Sequence, residues 1–282
     1  MIGNQIKTVV LLGLLTGIFL WVGSLWGQSG LTIALIFSIV MNFGSYWFSD
    51  KIILKMYRAK EIGESDNPLL FNTVKDVAHL AKLPMPKVYV VPSDSPNAFA
   101  TGRDPKHAAV AATRGILRIL DKNELRGVMA HELSHVRNRD TLIASIAATI
   151  AGVISYVAFI ARWGAIFGGY GGRDRDGNNM LEFLVLAILT PLLATIIRLA
   201  ISRSREYMAD ESAAKIVHDS EGLSNALRKL ESNVHHNPLR FGSKTTSSLF
   251  IVNPFSGSSF LKLFSTHPST DERVKRLLKV KL

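Results

Sequence analysis

The sequence contains no cysteine, so neither a disulfide framework nor a thiolate metal site is available to it. Any metal ion must therefore be held by nitrogen and oxygen ligands. Charged residues are also scarce, at 20% of the 282 residues against 48% that are hydrophobic. This balance excludes a disordered chain and is too apolar for an ordinary soluble domain.

Acidic residues are outnumbered, with 22 Asp and Glu against 33 Lys and Arg, which gives a formal net charge of +11. The basic residues are scattered and several flank long uncharged runs. This distribution argues against a nucleic-acid surface and favours attraction to anionic lipid headgroups. We therefore expect the lipid bilayer, and no nucleic acid, as a partner.

No charge interrupts the 42 residues of Thr8–Ser49. A helix of that length would be roughly twice as long as the ~30 Å hydrocarbon core of a bilayer, and a polar, glycine-bearing break at 27–30 divides it. The pattern predicts a transmembrane hairpin over residues 1–49, with spans at about 9–26 and 31–49. A cleaved signal peptide is the alternative for the first half, although a single lysine precedes it and no Ala-x-Ala site follows.

Two further apolar segments predict a second transmembrane hairpin over residues 141–201. The segment 141–161 is an uncharged run of 21 residues and fits one span. The segment 181–201 contains Pro191 and only 15 consecutive uncharged residues, so a buried or interfacial helix is its alternative.

The remaining segments, 50–140 and 202–282, are predicted to form one cytoplasmic domain. Basic residues follow the second span, precede the third and follow the fourth, as the positive-inside rule requires of cytoplasmic segments. Short strands are expected at 88–91, 97–101 and 108–113, followed by helices. The fold class is thus a mainly α membrane protein with about four transmembrane helices and an α+β domain containing a small sheet.

One helix of this domain carries a motif with recognisable chemistry. His131, Glu132 and His135 form a His-Glu-x-x-His pattern in a helix that begins with a capping box. Histidines four residues apart share a helix face and can bind one tetrahedral zinc ion. Glu132 can polarise a zinc-bound water and take its proton. Two solvated histidines on a polar face are the alternative, but the neighbouring residues are apolar.

A third protein ligand is needed, and no third histidine follows at short spacing. Glu206 lies 71 residues after His135. A two-span hairpin between them would return the chain to the same membrane face, so Glu206 is the predicted third ligand, with a surface carboxylate as the alternative. Asp210, one helical turn further on, can orient a zinc-bound histidine through its free ring nitrogen.

Four motifs follow one another along the chain: Asn97-Ala98-Phe99-Ala100-Thr101-Gly102, His131-Glu132-Leu133-Ser134-His135, Glu206-Tyr207-Met208-Ala209-Asp210 and Thr266-His267-Pro268. In their order, and in the hydrophobic segments between them, they resemble the HtpX family of membrane zinc endopeptidases, relatives of the CAAX prenyl proteases. The resemblance covers nearly the whole chain and implies a zincin-like metalloprotease domain.

The resemblance further implies one zinc ion per chain, held by His131, His135 and Glu206, with Glu132 as the general base. It implies a multi-pass protein of the bacterial cytoplasmic (inner) membrane with its active site on the cytoplasmic side. The implied role is in the stress response and protein quality control, where such an enzyme degrades misfolded or damaged membrane proteins and unfolded polypeptides.

A possible substrate-binding strand follows a turn and precedes a glycine. It suits a sheet edge to which an extended substrate adds through backbone hydrogen bonds. A strand end stabilised by an Asx turn is the alternative. The candidate substrate-binding residues are Asn97, Ala98, Phe99 and Ala100.

His267 and Arg273 are candidates for stabilising the oxyanion. In the prenyl protease relatives a histidine and an arginine six residues later have this role, and the spacing here is the same. Cationic donors suit the developing negative charge. A cap or turn role is the alternative for His267.

A second function class is a membrane scaffold or chaperone with a structural zinc site. Structural sites are usually closed by four protein ligands. The sequence offers three, which favours catalysis, with His267 or His236 as candidates for a fourth ligand.

Overall fold

The computed structural model describes residues 2–24, 27–147, 150, 203–234, 250–251 and 268–282. The predicted span at 181–201, most of the predicted span at 141–161, and His267 lie outside the described residues.

Two long helices, α1 (Ile2–Ser24) and α2 (Gly27–Met56), form the N-terminal part of the structure. They pack against each other, and the Asn42 side-chain amide donates to the Thr16 hydroxyl at 2.8 Å. Gly27 begins α2 with φ +69°, in the left-handed region that glycine adopts at little cost. Within the described part of the chain, α2 alone is long and apolar enough to cross a membrane.

The last turns of α2 leave the apolar stretch and pack on the sheet. The helix continues beyond the predicted end of the second span at residue 49. Ile53 and Tyr57 are fully buried against one face of the sheet. The ring of Tyr57 contacts those of Phe99 and Phe250, with centroid separations of 5.6 and 4.9 Å. The candidate membrane helix and the sheet therefore share one apolar cluster.

The sheet is small and mixed, with strand order β1-β2-β4-β3. β2 pairs with β4 in parallel, and the two outer pairs are antiparallel. The predicted strands agree with β2, β3 and β4 to within one residue, because each contains β-branched or aromatic residues and is bounded by turn residues. β3 lies at an edge of the sheet. The strands are β1 (Lys60–Glu61), β2 (Lys87–Val91), β3 (Ala98–Gly102) and β4 (Ala108–Thr113).

The other face of the sheet is covered by helices around α5 (Lys122–Asn138). α5 begins with the predicted capping box, in which Asp121 accepts from the Glu124 backbone and Glu124 accepts from the Asp121 backbone. It packs against β3, β4 and three helices. The other helices of this region are α3 (Pro68–Leu80), α4 (Arg114–Ile119), α6 (Arg203–Val217), α7 (Glu221–Val234) and α8 (Thr270–Leu277).

The helix that carries the motif is not continuous with the apolar segment that follows it. Arg139 ends α5 in the left-handed conformation, with φ 59°, and the chain is helical again over 140–147. This second helix passes the edge of the sheet, where Thr141 donates to the Gly102 carbonyl at 2.9 Å. The left-handed residue changes the direction of the chain directly after the motif.

Candidate active site

α5 presents two imidazoles from one face. The Nε2 atoms of His131 and His135 are 3.2 Å apart, and their rings meet edge to face. His131 is buried and His135 is partly exposed. The four-residue spacing in a helix accounts for this convergence.

α6 adds the carboxylate of Glu206. Its Oε2 lies 3.6 Å from His131 Nε2, and its Oε1 lies 3.7 Å from His135 Nε2. The three donor atoms all lie within 4.8 Å of one another. Ligand atoms about 2.1 Å from a tetrahedral zinc ion are roughly 3.4 Å apart, so the spacing and the nitrogen and oxygen donors fit zinc.

Asp210, one turn beyond Glu206 on α6, contacts the other nitrogen of the His131 ring. Its Oδ1 lies 2.9 Å from His131 Nδ1. The Arg273 guanidinium donates to both carboxylate oxygens of Asp210, at 2.7 and 2.8 Å, and to the Ile251 carbonyl at 3.0 Å. Arg273 therefore lies behind the imidazole, with its donors directed at Asp210 and at a backbone carbonyl.

A matching arrangement supports His135. Asp140 Oδ2 lies 3.2 Å from His135 Nδ1, and Arg205 Nη1 lies 3.5 Å from Asp140 Oδ1. This pair was not predicted from the sequence. Asp140 is five residues after His135, a spacing that does not share a helix face, and only the turn at Arg139 brings it to the ring. The sequence feature that could have indicated this pair is Arg205, a basic residue directly before the predicted ligand Glu206.

Glu132 lies in the same cluster, with its side chain directed into the protein. Only 3% of the residue is exposed, and the burial raises the pKa of its carboxyl group, although His131 and His135 oppose that change. The Ala100 backbone N–H on β3 donates to this carboxylate. A carboxyl group with a raised pKa is suited to proton transfer near neutral pH.

Burial alone would lower the pKa of His131. Its hydrogen bonds with Asp210 and Glu206 outweigh the burial and raise the pKa to about 9. The neighbouring carboxylates thus create a negative electrostatic potential at His131, which favours a cation at this position.

The candidate substrate strand lies at a sheet edge, but some of its polar groups already have partners within the protein. β3 lies at the sheet edge, but Ile251 N–H donates to the Ala98 carbonyl at 3.4 Å. Asn97 is fully buried, and its side-chain oxygen accepts from Ala98 N–H at 3.1 Å. Phe99 is buried among the aromatic rings beneath the sheet. The alternative of a locally stabilised strand end accounts for the Asn97 contact.

The known proteins that this chain resembles agree with this architecture. The model for peptidase family M48 matches residues 64–281. A protease HtpX homolog from Syntrophobacter fumaroxidans is 52% identical over 280 residues, which cover 98% of this chain and 99% of that protein. A protease HtpX homolog from Pyrococcus furiosus is 50% identical over 280 residues, covering 99% and 96% of the two chains.

A solved structure shares the fold. The crystal structure of S. mikatae Ste24p superposes with a TM-score of 0.53 at 18% identity, covering 98% of this chain and 66% of that one. Sequence, fold and the two-histidine motif together define a metalloprotease of a membrane-associated kind. More narrowly, the chain belongs to peptidase family M48, and the resemblance to HtpX proteases is confirmed.

Proposed function

We propose that the protein is a zinc-dependent endopeptidase, with one zinc ion per chain held by His131, His135 and Glu206. The observation that carries this proposal is the convergence of three donor atoms from α5 and α6 beside the buried carboxylate of Glu132. The described residues supply three donors to this group, and the two candidates for a fourth ligand, His236 and His267, lie outside them. The family membership supports catalysis over a scaffold role.

Glu132 is the proposed general base. Zinc, when bound, supplies Lewis-acid polarisation of the attacking water and of the substrate carbonyl. Glu132 takes a proton from the water as its oxygen bonds to the carbonyl carbon, and returns it to the amide nitrogen as the C–N bond breaks. The hydrogen bond from Ala100 N–H favours the ionised carboxylate that accepts the proton.

The carboxylates behind the two imidazoles have a positioning role in this proposal. Asp210 accepts from His131 Nδ1 and Asp140 from His135 Nδ1, so each ring keeps Nε2 directed toward Glu206. Arg273 holds Asp210, and its Nη2 lies 3.4 Å from the His131 ring. The charge of Arg273 therefore acts on the site mainly through Asp210. Direct hydrogen-bond donation to an oxyanion by His267 and Arg273 stays a prediction.

The substrates we propose are misfolded or damaged membrane proteins and unfolded polypeptides. An extended segment would add to the outer edge of β3 next to Glu132, where it would replace the contact between the Ile251 N–H and the Ala98 carbonyl. An edge strand recognises backbone groups in any sequence, as a quality-control protease requires. The proximity of the site to the candidate membrane helix supports substrates that emerge from a bilayer.

The proposed topology has four spans and a cytoplasmic site in the bacterial inner membrane. The domain would be assembled from residues 50–140 and 202–282 on either side of the second hairpin, 141–201. The close packing of α5 on α6 and α7 supports this assembly. Because the chain has no native cysteine, single cysteines at Arg114 and Gly172 can be labelled selectively in inverted and right-side-out vesicles. Labelling of both from the same side would refute the topology.

The test of the chemistry is Glu132→Gln. The variant should retain zinc, measured by metal analysis, and lose cleavage of an unfolded polypeptide in detergent by at least 100-fold, because a general base contributes about that much. The matched control is Glu211→Gln on α6, whose carboxylate is exposed and pairs with Lys215. Full activity of Glu132→Gln with normal zinc content would refute the assignment.

A further inference from the structure

A cavity of about 730 Å³ lies away from the zinc site, where the apolar segments meet the region that carries the sheet. Its membrane-side wall is formed by the first helix, the second helix and the helix at 140–147, through Thr8, Val9, Tyr46 and Leu142. The opposite wall is formed by the loop after α3 and the loop between β3 and β4. The volume is in the range of small-molecule sites.

Four cationic side chains line this cavity and one carboxylate accompanies them, a formal surplus of three positive charges. The carboxylate, Asp104, accepts from the His107 ring at 2.9 Å and lies 3.7 Å from Arg103. Its charge is therefore already shared with cationic neighbours. The cations are Lys82, Arg103, Lys106 and Arg139.

Two of these cations occupy backbone positions that suit glycine. Lys82 has φ 56° and Arg139 has φ 59°. Each follows a helix end, where the left-handed position is most often glycine because other residues are strained there. The helix C-terminus favours a basic residue in general, but here two such ends converge on one cavity. Strained positions of this kind concentrate at binding sites.

The cavity lies at the level where α2 would leave a bilayer. Uncharged sequence begins at Thr8 and ends at Ser49, and both ends of this run are near the cavity. Arg103 stacks over the ring of Trp47 at 4.7 Å, and Tyr46 lines the cavity. Tyrosine and tryptophan are enriched at the height of the lipid headgroups.

We propose that this cavity binds the phosphate headgroup of an anionic phospholipid, with its acyl chains lying along the apolar helices. Arg103 and Arg139 are half-buried, and a guanidinium can donate two parallel hydrogen bonds to one phosphate. Lys82 and Lys106, which are exposed, add point charges at the rim. The inference concerns a site separate from the catalytic cluster and requires only that α2 lies in the bilayer.

The test uses the full chain in phosphatidylcholine nanodiscs containing a trace of spin-labelled phosphatidylglycerol. The immobilised fraction of the label, compared with that of spin-labelled phosphatidylcholine, measures selectivity. The variant Lys82→Gln/Arg103→Gln should lower the preference for the anionic lipid by roughly 30-fold, about fivefold for each basic residue lost and slightly more for a half-buried arginine. The matched control, Arg118→Gln/Lys215→Gln, removes the same charge at exposed sites.

Three results would overturn the proposal. The first is an equal loss of selectivity in the control, which would show that only net charge matters. The second is displacement of the labelled lipid by millimolar inorganic phosphate, which would identify the ligand as free phosphate. Because Arg103 also contacts Trp47, Lys106→Gln serves as a second variant at the exposed rim and should lower the preference about fivefold. Unchanged selectivity in both cavity variants would equally refute the site.

Discussion

Two ion pairs in this protein have the same length and opposite surroundings, which gives a sharp prediction. Arg273 Nη2 and Asp210 Oδ1 are 2.7 Å apart, with side chains 2% and 3% exposed. Arg118 Nη1 and Asp94 Oδ1 are also 2.7 Å apart, with side chains 65% and 66% exposed. Distance alone would give the two pairs equal weight, but they differ in burial and in the second hydrogen bond that Arg273 Nε donates to Asp210.

We expect Arg273→Met to lower the free energy of unfolding by about 3–5 kcal/mol, because it removes the two charge-assisted hydrogen bonds that the guanidinium donates to the buried Asp210 carboxylate. Arg118→Met should cost about 0–1 kcal/mol, since water solvates Asp94. The measurement is denaturant unfolding of the zinc-free protein in detergent, followed by circular dichroism. Metal removal separates this effect from any change in zinc binding.

A double variant sharpens the test. Asp210→Asn/Arg273→Met removes both charges, so it should be less destabilised than Arg273→Met alone. The reasoning would be refuted if Arg273→Met cost no more than Arg118→Met, or if the double variant were less stable than the single one. Either result would mean that solvent reaches Asp210 or that His131 alone compensates its charge.

Three further predictions concern the parts around the site. Asp140→Asn should weaken zinc binding about 10–100-fold in a chelator competition, because Asp140 orients His135. Gly127→Ala should lower the thermal midpoint and cost about 1–3 kcal/mol, since a Cβ there would lie 2.6 Å from the Leu223 backbone nitrogen; Gly63→Ala, with its nearest neighbour at 3.7 Å, should leave the midpoint nearly unchanged. Removal of zinc by a chelator should lower the thermal midpoint reversibly, because the proposed ligands come from both α5 and α6 and the ion would join these helices; an unchanged midpoint would argue against zinc binding.

The local features of the fold were predictable because each has a short-range cause. The capping box at Asp121 and Glu124 defined the start of α5, and the turn residues around 92–96 and 102–105 bounded β3. The two-residue strand β1 was not predicted, since Lys60 and Glu61 have no strand pattern and pair with β2 only through tertiary packing. The extension of α2 to Met56 was missed for a similar reason, because its charged last turns are held by contacts with the sheet.

The site was predictable where it depends on helical spacing and only partly elsewhere. His131 and His135 share a face by periodicity alone, and Glu206 was expected near them, where the structure has it, whereas the hairpin that would bring it there stays a prediction. The positions of Asp140 and Arg273 depend on one left-handed residue and on a helix from the end of the chain. Neither feature produces a periodic pattern in the sequence, so the residues that surround the imidazoles could be identified only from the three-dimensional structure.

The reversal of chain direction at Arg139 has a mechanical consequence. Arg139 lines the interfacial cavity, while the next residue, Asp140, contacts the His135 imidazole of the proposed zinc site. A rotation of the peptide between them would disturb both places at once, since no flexible linker intervenes to absorb it. The proposed lipid site and the proposed zinc site are therefore joined through one peptide unit, so a change in backbone direction at Arg139 would alter both.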